Sequence, residues 1–532
     1  MKALPIGTQT FEGIVTGNYV YVDKTQHIYD MAMVGSESPT ASGPKFFLSR
    51  PRRFGKSLTI STLDALFSGR RDLFKGLWID DADYDWQPFP VLRFDLSNIG
   101  KEDGPQLAKS IGFRVKDLAK QYGVEVDPER TVGQQFAQLI QNVAAKTQNR
   151  VVVLVDEYDA PIIRHITDVK KAEDNRDVLR EFYTTLKAED AHMRFVFLTG
   201  VSKFSKVSVF SGLNNLQDLT MDARYAGMLG YTQEELEFNF KEHIEALAQE
   251  EQATVPKTLE KIKHWYNGYR FSKTNEKVYN PFSTLLLFQQ KDFKAHWFET
   301  GTPKFLVDLI LAQQYDVQGL ANVTVTETTF STYELDMLSV LALLFQTGYL
   351  TILDYNKADN LFTLGYPNEE VKRAFTEALV SRYAVVEQGL SEAYVVRMIK
   401  ALKKEDLEMF FDTLRIFFAN IPYTIQLKNE KYYQTIFYLI FTLMGMRIQA
   451  EVTTSKGRID AVLETEKEIY IFEFKLQGTA EGALAQIQSK GYAQKYGHLI
   501  HADPSVAKKV TLIGVEFDSE ERNIGRWVEA TA

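Results

Sequence analysis

Three consecutive residues, Gly55-Lys56-Ser57, could bind the phosphates of a nucleotide. They end the stretch SRPRRFGKS and fill the last three places of the phosphate-loop pattern G-x-x-x-x-G-K-[ST]. In such a loop Lys56 would contact the β- and γ-phosphates, and the Ser57 hydroxyl would bind Mg²⁺. Arg50 stands where the pattern has its first glycine, and the tripeptide occurs by chance in roughly a third of chains this long. The alternative is a surface turn at the start of a helix.

The residues around this loop have the pattern of a strand, a turn and a helix. Phe46-Phe47-Leu48 is a short apolar strand, and apolar residues at helical spacing follow the loop until Ser68-Gly69. This order aims backbone amides and a helix N-terminus at a phosphate. Pro51 can fix the turn that the missing glycine would permit. Arg52 and Arg53 either add donors near an anionic ligand or form a solvated basic loop.

An acidic pair follows a second apolar strand. Val151 to Val155 are all apolar, and Asp156-Glu157 come next. Acids at the carboxyl end of a buried parallel strand lie where such sheets bind ligands. We therefore expect Asp156 to hold the water shell of Mg²⁺ and Glu157 to polarise the attacking water. Acidic pairs at strand ends are common by chance, so this prediction depends on the order of all the elements.

The next apolar run after the acidic pair, Phe195 to Leu198, ends in Thr199, where a γ-phosphate sensor would lie. Arg224 and Arg270 are candidate sensor arginines, although ordinary ion pairs are the favoured explanation for both. The residues predicted to contact the nucleotide are Arg52, Arg53, Phe54, Gly55, Lys56, Ser57, Leu58, Asp156 and Thr199.

A second set of chemically capable residues lies in the stretch GRIDAVLETEKEIYIFEFK. Asp460 belongs to one predicted strand, and Glu473 and Lys475 lie two residues apart in the next, so their side chains share a face. Two carboxylates on adjacent strands can share a divalent cation that activates water. Lys475 would position or deprotonate that water or offset the developing charge. The alternative is a hairpin with an exposed Glu-x-Lys pair.

The elements around this hairpin have the order αβββαβ. The predicted elements are a helix over 430–444, strands over 447–452, 458–463 and 469–474, a helix over 481–496 and a strand over 510–517. Glu430 in the first helix and Gln486 in the second are candidate auxiliary residues. From residue 401 onward there are 16 Lys and Arg against 18 Asp and Glu. DNA binding would therefore depend on local basic residues or on another module. The basic residues flanking the site are Lys428, Lys431, Arg447, Lys456 and Arg458.

Several stretches of the sequence resemble the AAA-ATPase-like family of bacterial proteins. They are YVDKT, FFLSRPRRFGKSLT, VVLVDEYDAPI, FSGLNNLQDLT, WYNGYRFS, YNPFS and FQTGYLTI. The resemblance implies that the arginine-rich loop is this family's usual form of the phosphate loop. The C-terminal segment resembles the PD-(D/E)xK nuclease superfamily. That resemblance implies a core of Asp460, Glu473 and Lys475, with Glu430 and Gln486 as auxiliaries.

These patterns predict an α/β fold. It has a P-loop NTPase core with a parallel sheet, a helical and winged-helix-like middle, and a restriction-endonuclease-like αβββαβ end. The middle is predicted from an apolar helix (335–346), a hairpin with its turn at 356–360, and a helix from Glu369. The aromatic residues of WYNGYRFS are expected in the core and in turns. The predicted domains are residues 1–225, 226–400 and 401–532.

Composition narrows the possible functions further. The chain of 532 residues has a net charge of -9, which argues against coating nucleic acid with the whole surface. It contains no cysteine, which excludes disulfides and thiolate metal sites, and its histidines have no zincin spacing. The N-terminal segment lacks an apolar signal core, and no apolar run reaches 18 residues. We expect a cytoplasmic protein without a membrane partner, whose oligomeric state the sequence does not give.

The leading hypothesis is an ATPase joined to a metal-dependent DNA nuclease. Its expected cofactors are ATP and Mg²⁺ or Mn²⁺, its expected partner is DNA, and its predicted catalytic residues are Glu157, Asp460, Glu473, Lys475, Glu430 and Gln486. The alternative is a nucleotide-gated switch whose nuclease-like domain holds nucleic acid or a protein without cleaving it. A third possibility is an ATPase with a purely structural C-terminal domain.

Overall fold

The computed structural model divides the chain into two compact units. The first unit comprises residues 1–301 and 321–370, and the second comprises residues 302–320 and 371–532. The structure describes the chain except residues 36–42, 98, 100–102, 167, 204–208, 211–212, 214, 298–303, 331–338, 386–387, 422–429, 446–448, 456–457, 476, 497–506 and 519. The backbone alone is described at 304–305, 388, 430–431, 434, 449–455, 458–460 and 495. The predicted three-domain boundaries stay a prediction.

A five-stranded parallel sheet forms the core of the first unit. Its strands lie in the order β2-β3-β4-β1-β5, so β4 separates the strand that precedes the phosphate loop from the strand that precedes the acidic pair. The four predicted strands are confirmed, and the short β5 was not predicted. The strands are β1 (Lys45–Ser49), β2 (Val91–Asp95), β3 (Val151–Asp156), β4 (Met193–Gly200) and β5 (Gln217–Asp218).

Helices cover this sheet and bury its apolar side chains. The strands β1, β3 and β4 are buried along their whole length, which explains why they are continuous apolar runs. Phe94 of β2 packs against two rings from the covering helices, Phe136 and Phe182. The helices are α1 (Phe11–Thr16), α2 (Thr25–Met33), α3 (Lys56–Phe67), α4 (Gly104–Tyr122), α5 (Val132–Thr147), α6 (Ala160–Ile163) and α7 (Val169–Ala188).

The rest of the first unit is mainly helical. The predicted capping box at Thr232 and Glu235 is confirmed at the start of α8. The predicted hairpin is also confirmed, and a third strand pairs with it in the order β6-β8-β7; residues 335–338 of the predicted preceding helix lie outside the described residues. The elements are α8 (Gln233–Asn239), α9 (Lys241–Glu250), α10 (Val255–Tyr266), α11 (Pro281–Gln290), α13 (Val340–Gln346), β6 (Val323–Thr326), β7 (Thr351–Asn356) and β8 (Leu361–Gly365).

The second unit contains a mixed sheet with the strand order β13-β12-β11-β10-β9. Only the β11–β12 pair is parallel. The predicted αβββαβ order is confirmed, with β13 as an additional edge strand. The strands are β9 (Gln449–Ser455), β10 (Arg458–Glu464), β11 (Glu468–Lys475), β12 (Lys509–Asp518) and β13 (Asn523–Thr531).

Six α-helices belong to the described part of the second unit, and α14 begins at the last two residues of the first unit. The helix predicted over 481–496 is shorter than expected because it ends at Ser489; Gly491 follows with a φ of 62°, and residues 492–496 form a separate 3₁₀ helix. The helices are α12 (Lys304–Ala312), α14 (Glu369–Ala384), α15 (Gln388–Lys403), α16 (Leu407–Ala419), α17 (Glu430–Gly445) and α18 (Ala480–Ser489).

Candidate functional site

The phosphate loop leads directly from β1 into α3. Gly55 is the residue before α3 and has a φ of 99°, a left-handed conformation that glycine adopts at little cost. A Cβ atom at Gly55 would meet no atom within 4 Å, so the backbone angle rather than space requires glycine. Arg53 is also left-handed, with a φ of 67°. The left-handed Gly55 therefore lets the chain turn from the loop directly into the first turn of α3.

Lys56 connects the loop to the acidic pair. Its side chain is 4% exposed, and Nζ donates to the carbonyl oxygens of Arg50 and Pro51, both at 3.1 Å. Nζ also lies 3.7 Å from Oε1 of Glu157, whose side chain is 23% exposed. Glu157 has a φ of 53°, which is costly for a residue with a side chain. The structure thus brings together the predicted lysine and the predicted water-polarising acid.

Asp156 lies at the end of β3 and is buried. Burial raises the pKa of its carboxyl group, and the nearby Ser57 hydroxyl and Lys56 ammonium oppose that rise. Among the described residues no group hydrogen-bonds its Oδ1, although this atom is buried. A buried carboxylate oxygen beside a serine hydroxyl is a hard donor set, which suits the water shell of Mg²⁺. The two residues predicted to hold the ion therefore fit that role.

Thr199 is close to these residues but is engaged within the sheet. It is fully buried near the end of β4, and its hydroxyl donates to the Leu48 carbonyl of β1 at 2.7 Å. Its own carbonyl accepts from the Tyr158 amide at 3.0 Å. The hydroxyl contact fixes the spacing between β4 and β1. The predicted contact of Thr199 with the γ-phosphate stays a prediction.

Asp159 is a functional candidate that the sequence analysis missed. It is fully buried and accepts from the amides of Val201 (3.1 Å) and Ser202 (2.6 Å). Burial, followed by the nearby Glu157 carboxylate, raises the pKa of Asp159 to about 6. A Cβ atom at Gly200 would collide with Asp159, so only glycine fits there. The signal available in the sequence was that VDEYD contains a third acid, Asp159. This acid holds the residues after β4 beside Glu157.

Arg50, at the place of the missing glycine, is a structural residue. It is 1% exposed and stacks over Phe271 at 4.3 Å. Its guanidinium donates to three carbonyls, those of Ser49, Thr220 and Tyr225. Burial lowers the pKa of Arg50 to about 9, an effect that Asp218 opposes. Arg50 therefore attaches the loop to the segment after β5.

Three further contacts hold the loop from the helical part of the same unit; we call them the clamp. The Trp297 indole donates to the Arg52 carbonyl at 3.2 Å, and the guanidinium of Arg53 lies over Phe282 at 4.9 Å. The third contact is between loop and core rings: the buried Phe54 packs edge-on against Tyr269 and Phe271. The expectation that the WYNGYRFS aromatics belong to the core is confirmed for Tyr266, Tyr269 and Phe271. Leu58 lies half-buried in the first turn of α3.

Behind Trp297 lies a buried acid, Glu370. Its Oε1 accepts from the Trp297 amide at 2.8 Å and from the Ser283 hydroxyl at 3.0 Å. Burial raises the pKa of Glu370 to about 8, although these donors oppose the rise. A single residue, Trp297, thus contacts the phosphate loop through its indole and the buried carboxyl group through its backbone amide.

The candidate sensor arginines make local contacts. Arg224 is exposed and pairs with Asp222 at 2.6 Å. Arg270 is buried, and its guanidinium donates to the carbonyls of Ser272, Lys273 and Leu353. Arg224 thus forms the ordinary ion pair of the alternative, whereas the contacts of the buried Arg270 are with carbonyls and give it a structural role.

The second candidate centre is built on the β10–β11 ladder. The register pairs Asp460 with Glu473 and Arg458 with Lys475. Directly paired residues lie about 5 Å apart, within the span of one shared cation. The side chains of Asp460 and Glu430 lie outside the described ones, as do those of the flanking Lys428, Lys431, Arg447, Lys456 and Arg458.

Glu473 is fully buried, which contradicts the alternative of an exposed Glu-x-Lys pair. The opposite face of β11 carries Phe472 and Phe474, and these rings pack against Phe441 of α17. Each such buried ring contributes roughly 1.5–3 kcal/mol. The acid therefore interrupts a strand that is apolar on both faces.

Lys475, Gln486 and α18 lie on the face of β11 that Glu473 occupies. Ile471 shares this face by strand alternation, and it belongs to the same buried cluster as Ile487 of α18. Lys475 is partly exposed, and its Nζ would lie 3.8 Å from a Cβ atom at Gly482. Gln486 is half-buried on α18. Among the described side chains no three His, Asp or Glu groups form a metal cluster.

In the described part of the chain, every helix is too short or too polar to cross a lipid bilayer.

Two family models match the chain. Residues 5–210 match the AAA-ATPase-like model, described as "Predicted AAA-ATPase", and residues 428–527 match a model of the PD-(D/E)XK nuclease superfamily. The chain is also 40% identical over 537 residues to a protein of Azotobacter chroococcum mcd 1 named "Uncharacterized protein in vnfD 5'region". That match covers 98% of each chain. The resemblance predicted from the motifs is confirmed for both domains.

Proposed function

Because the chain belongs to the AAA-ATPase-like family and ends in a PD-(D/E)XK nuclease superfamily domain, we propose that it hydrolyses ATP and cleaves DNA with a divalent metal. The observation that carries the first part is the grouping of Lys56, Ser57, Asp156 and Glu157 around one loop.

Each of these residues has a role in the proposed ATP hydrolysis. The amides of the loop and the Lys56 ammonium bind the phosphates and oppose the charge that develops on them. Ser57 and Asp156 would hold Mg²⁺, which supplies charge neutralisation at the phosphates. Glu157, on its left-handed backbone, orients a water and accepts its proton. Lys56 moves from the carbonyls of Arg50 and Pro51 to the phosphates when ATP binds.

In the proposed nuclease centre, Asp460 and Glu473 would hold one divalent ion, which supplies an activated water. Lys475 at the strand end stabilises the negative charge that develops on the phosphate. The register of β10 and β11 supports this proposal because it sets the two acids opposite one another.

The proposal is tested with Lys56→Ala and Asp460→Ala. We expect Lys56→Ala to abolish ATP binding and turnover, and Asp460→Ala to abolish Mg²⁺- or Mn²⁺-dependent cleavage of DNA. The matched controls are Lys75→Ala in the first unit and Lys467→Ala in the second; both lysines are exposed. If neither variant differs from the parent in ATP binding or in cleavage, the proposal is wrong.

The complete burial of Glu473 favours a second candidate function, a nucleotide-gated switch that holds DNA without cleaving it. A metal reaches a buried acid only if the neighbouring elements move. Chelation distinguishes the two functions: cleavage that EDTA abolishes supports the nuclease, whereas EDTA-insensitive binding without products supports the switch.

A further inference from the structure

A groove of about 640 Å³ follows one face of α15 in the second unit. Its lining includes Val396 and Met409 together with three cations, Arg397, Lys400 and Lys404. The lining positions on the chain from Gly389 to Lys404 recur every three or four residues, which is the spacing of one helix face. They extend over about 22 Å of helix axis.

The three cations are not neutralised by neighbouring acids. Within the described part of the chain, no ion pair involves Arg397, Lys400 or Lys404. Glu392 also lines the groove, but its carboxylate pairs with Arg373 at 2.6 Å. Asp406, just after the helix, accepts from the Met409 amide at 2.9 Å. The groove lining therefore has three cations against one carboxylate, and that carboxylate is already paired with a cation outside the lining.

Resting on the proposed nuclease function, we propose that this groove binds the phosphate backbone of the DNA substrate. Arg397 and Lys400 lie about one helical turn apart in α15, and Lys404 directly follows its last residue, so the three cations cover roughly 10 Å. One DNA strand carries one phosphate for each 3.4 Å or so of duplex axis, and the long lysine and arginine side chains can reach about three phosphates from this length. Two of the cations, Arg397 and Lys400, add to the segment from residue 401 onward, whose 16 Lys and Arg against 18 Asp and Glu give it no net positive charge.

If these cations had a purely structural role, their removal would have a different effect. A cation in the last turn of a helix, such as Lys400 in α15, stabilises the helix through its dipole. Such a role would change the Tm of the protein but not the dependence of DNA binding on salt.

The test is duplex DNA binding by the full chain in EDTA, without nucleotide, at a series of salt concentrations. The variant is Arg397→Gln/Lys400→Gln/Lys404→Gln. The control, Lys403→Gln/Lys467→Gln/Lys490→Gln, removes the same charge from exposed positions outside the groove. Three lost phosphate contacts should reduce the slope of log K against log salt by about 2.7, whereas the control should keep the parent slope.

An unchanged slope in the groove variant overturns the inference, and so does an equal loss in the control. Since binding is measured without cleavage, a protein that binds through the groove but never cuts DNA would refute the nuclease proposal alone. A protein that cuts DNA with an unchanged slope would refute the groove alone.

Discussion

In the phosphate-loop centre the chemically important side chains stand in the first turn of a helix, at the end of a strand and directly after it, whereas Glu473 and Lys475 belong to a single strand. Lys56, Asp156 and Glu157 approach one another because distant segments hold the loop, through Arg50 and through the clamp. Glu473 meets Asp460 because the ladder of β10 and β11 has one register. Tertiary contacts position the first centre, and local strand geometry positions the second.

The largest expected effect concerns the chemical independence of the two centres. Glu157→Gln keeps the shape of the side chain but removes the base, so ATP turnover should fall by about 10²- to 10⁴-fold while ATP binding persists. Cleavage of DNA measured without nucleotide should be unchanged. A steady-state ATPase assay, a nucleotide-binding titration and a cleavage assay measure the three quantities. If the variant turned ATP over at the rate of the parent, Glu157 would have no part in the hydrolysis.

The dependence of the loop on distant contacts is tested by Arg50→Gly, which restores the general phosphate-loop pattern. We expect this restoration to destabilise the first unit by roughly 2–5 kcal/mol, because three carbonyls lose a charged donor and Phe271 loses its cation. Arg130→Gly is the control: it introduces the same residue at an arginine that is 51% exposed and lies outside the loop. Denaturant unfolding measures the free energy of unfolding of both variants. Equal values would show that the contacts of Arg50 do not stabilise the first unit.

The dependence of the second centre on packing against the sheet is tested by Gly514→Ala. Gly514 is paired with Glu473, and a Cβ atom there would collide with the Ala480 carbonyl and the Leu484 amide of α18. We expect a loss of roughly 1–3 kcal/mol in the second unit and weaker metal-dependent cleavage, with ATP turnover unchanged. A parental cleavage rate would mean that the position of α18 does not matter to the centre.

For a single pH unit, the smallest expected effect is the pH dependence that Glu370 gives the first unit. Its folded pKa of about 8 lies above the ordinary value of 4.5, so the unfolded state binds fewer protons between these values. Stability should therefore fall as pH rises from about 5 to 8, on the order of 1 kcal/mol for each pH unit, and level off above 8. Chemical unfolding of the parent and of Glu370→Gln, compared at several pH values, measures this slope.

Glu370→Gln removes this titration, so its stability relative to the parent should rise across that interval. The charged and titratable groups around Glu370 include Tyr266 and Tyr269, and the pKa of each is raised by burial and by Glu370 itself. Both tyrosines stay neutral throughout the interval, so they add no slope. Parallel pH profiles for the parent and the variant would contradict the buried titration.

This contrast also explains which features the sequence could predict. The shared face of Glu473 and Lys475 follows from strand alternation, and the loop, its helix and the strand β3 follow from short-range pattern. The roles of Arg50, Asp159 and Trp297 do not follow from short-range pattern, because the partners of these residues lie far away in the chain. Arg50 bonds to a carbonyl 170 residues away, and Trp297 to one 245 residues away. Single-sequence patterns carry no signal for such pairs.

The strands β5 and β13 escaped prediction for a related reason. The strand β5 has two residues, too few for any period to appear. The strand β13 is at the sheet edge with a mixed burial pattern, and its sequence NIGRWVEAT lacks a continuous apolar run. Both segments become strands because they pair with the edge of a neighbouring strand, and their own composition does not predict it.

The polypeptide enters the second unit twice, first at residues 302–320 and again from residue 371. The first segment contributes Asp308, which pairs with Arg382 of α14. It also contributes Gln318, whose carbonyl accepts from the hydroxyl of Tyr438 of α17. A fragment cut to the boundaries of the nuclease match, 428–527, would keep Tyr438 but lose Gln318, and it would lack both Asp308 and Arg382. A separately expressed nuclease half therefore needs residues 302–320 as well as the chain from residue 371, and a single proteolytic cut between residues 320 and 371 separates these two segments.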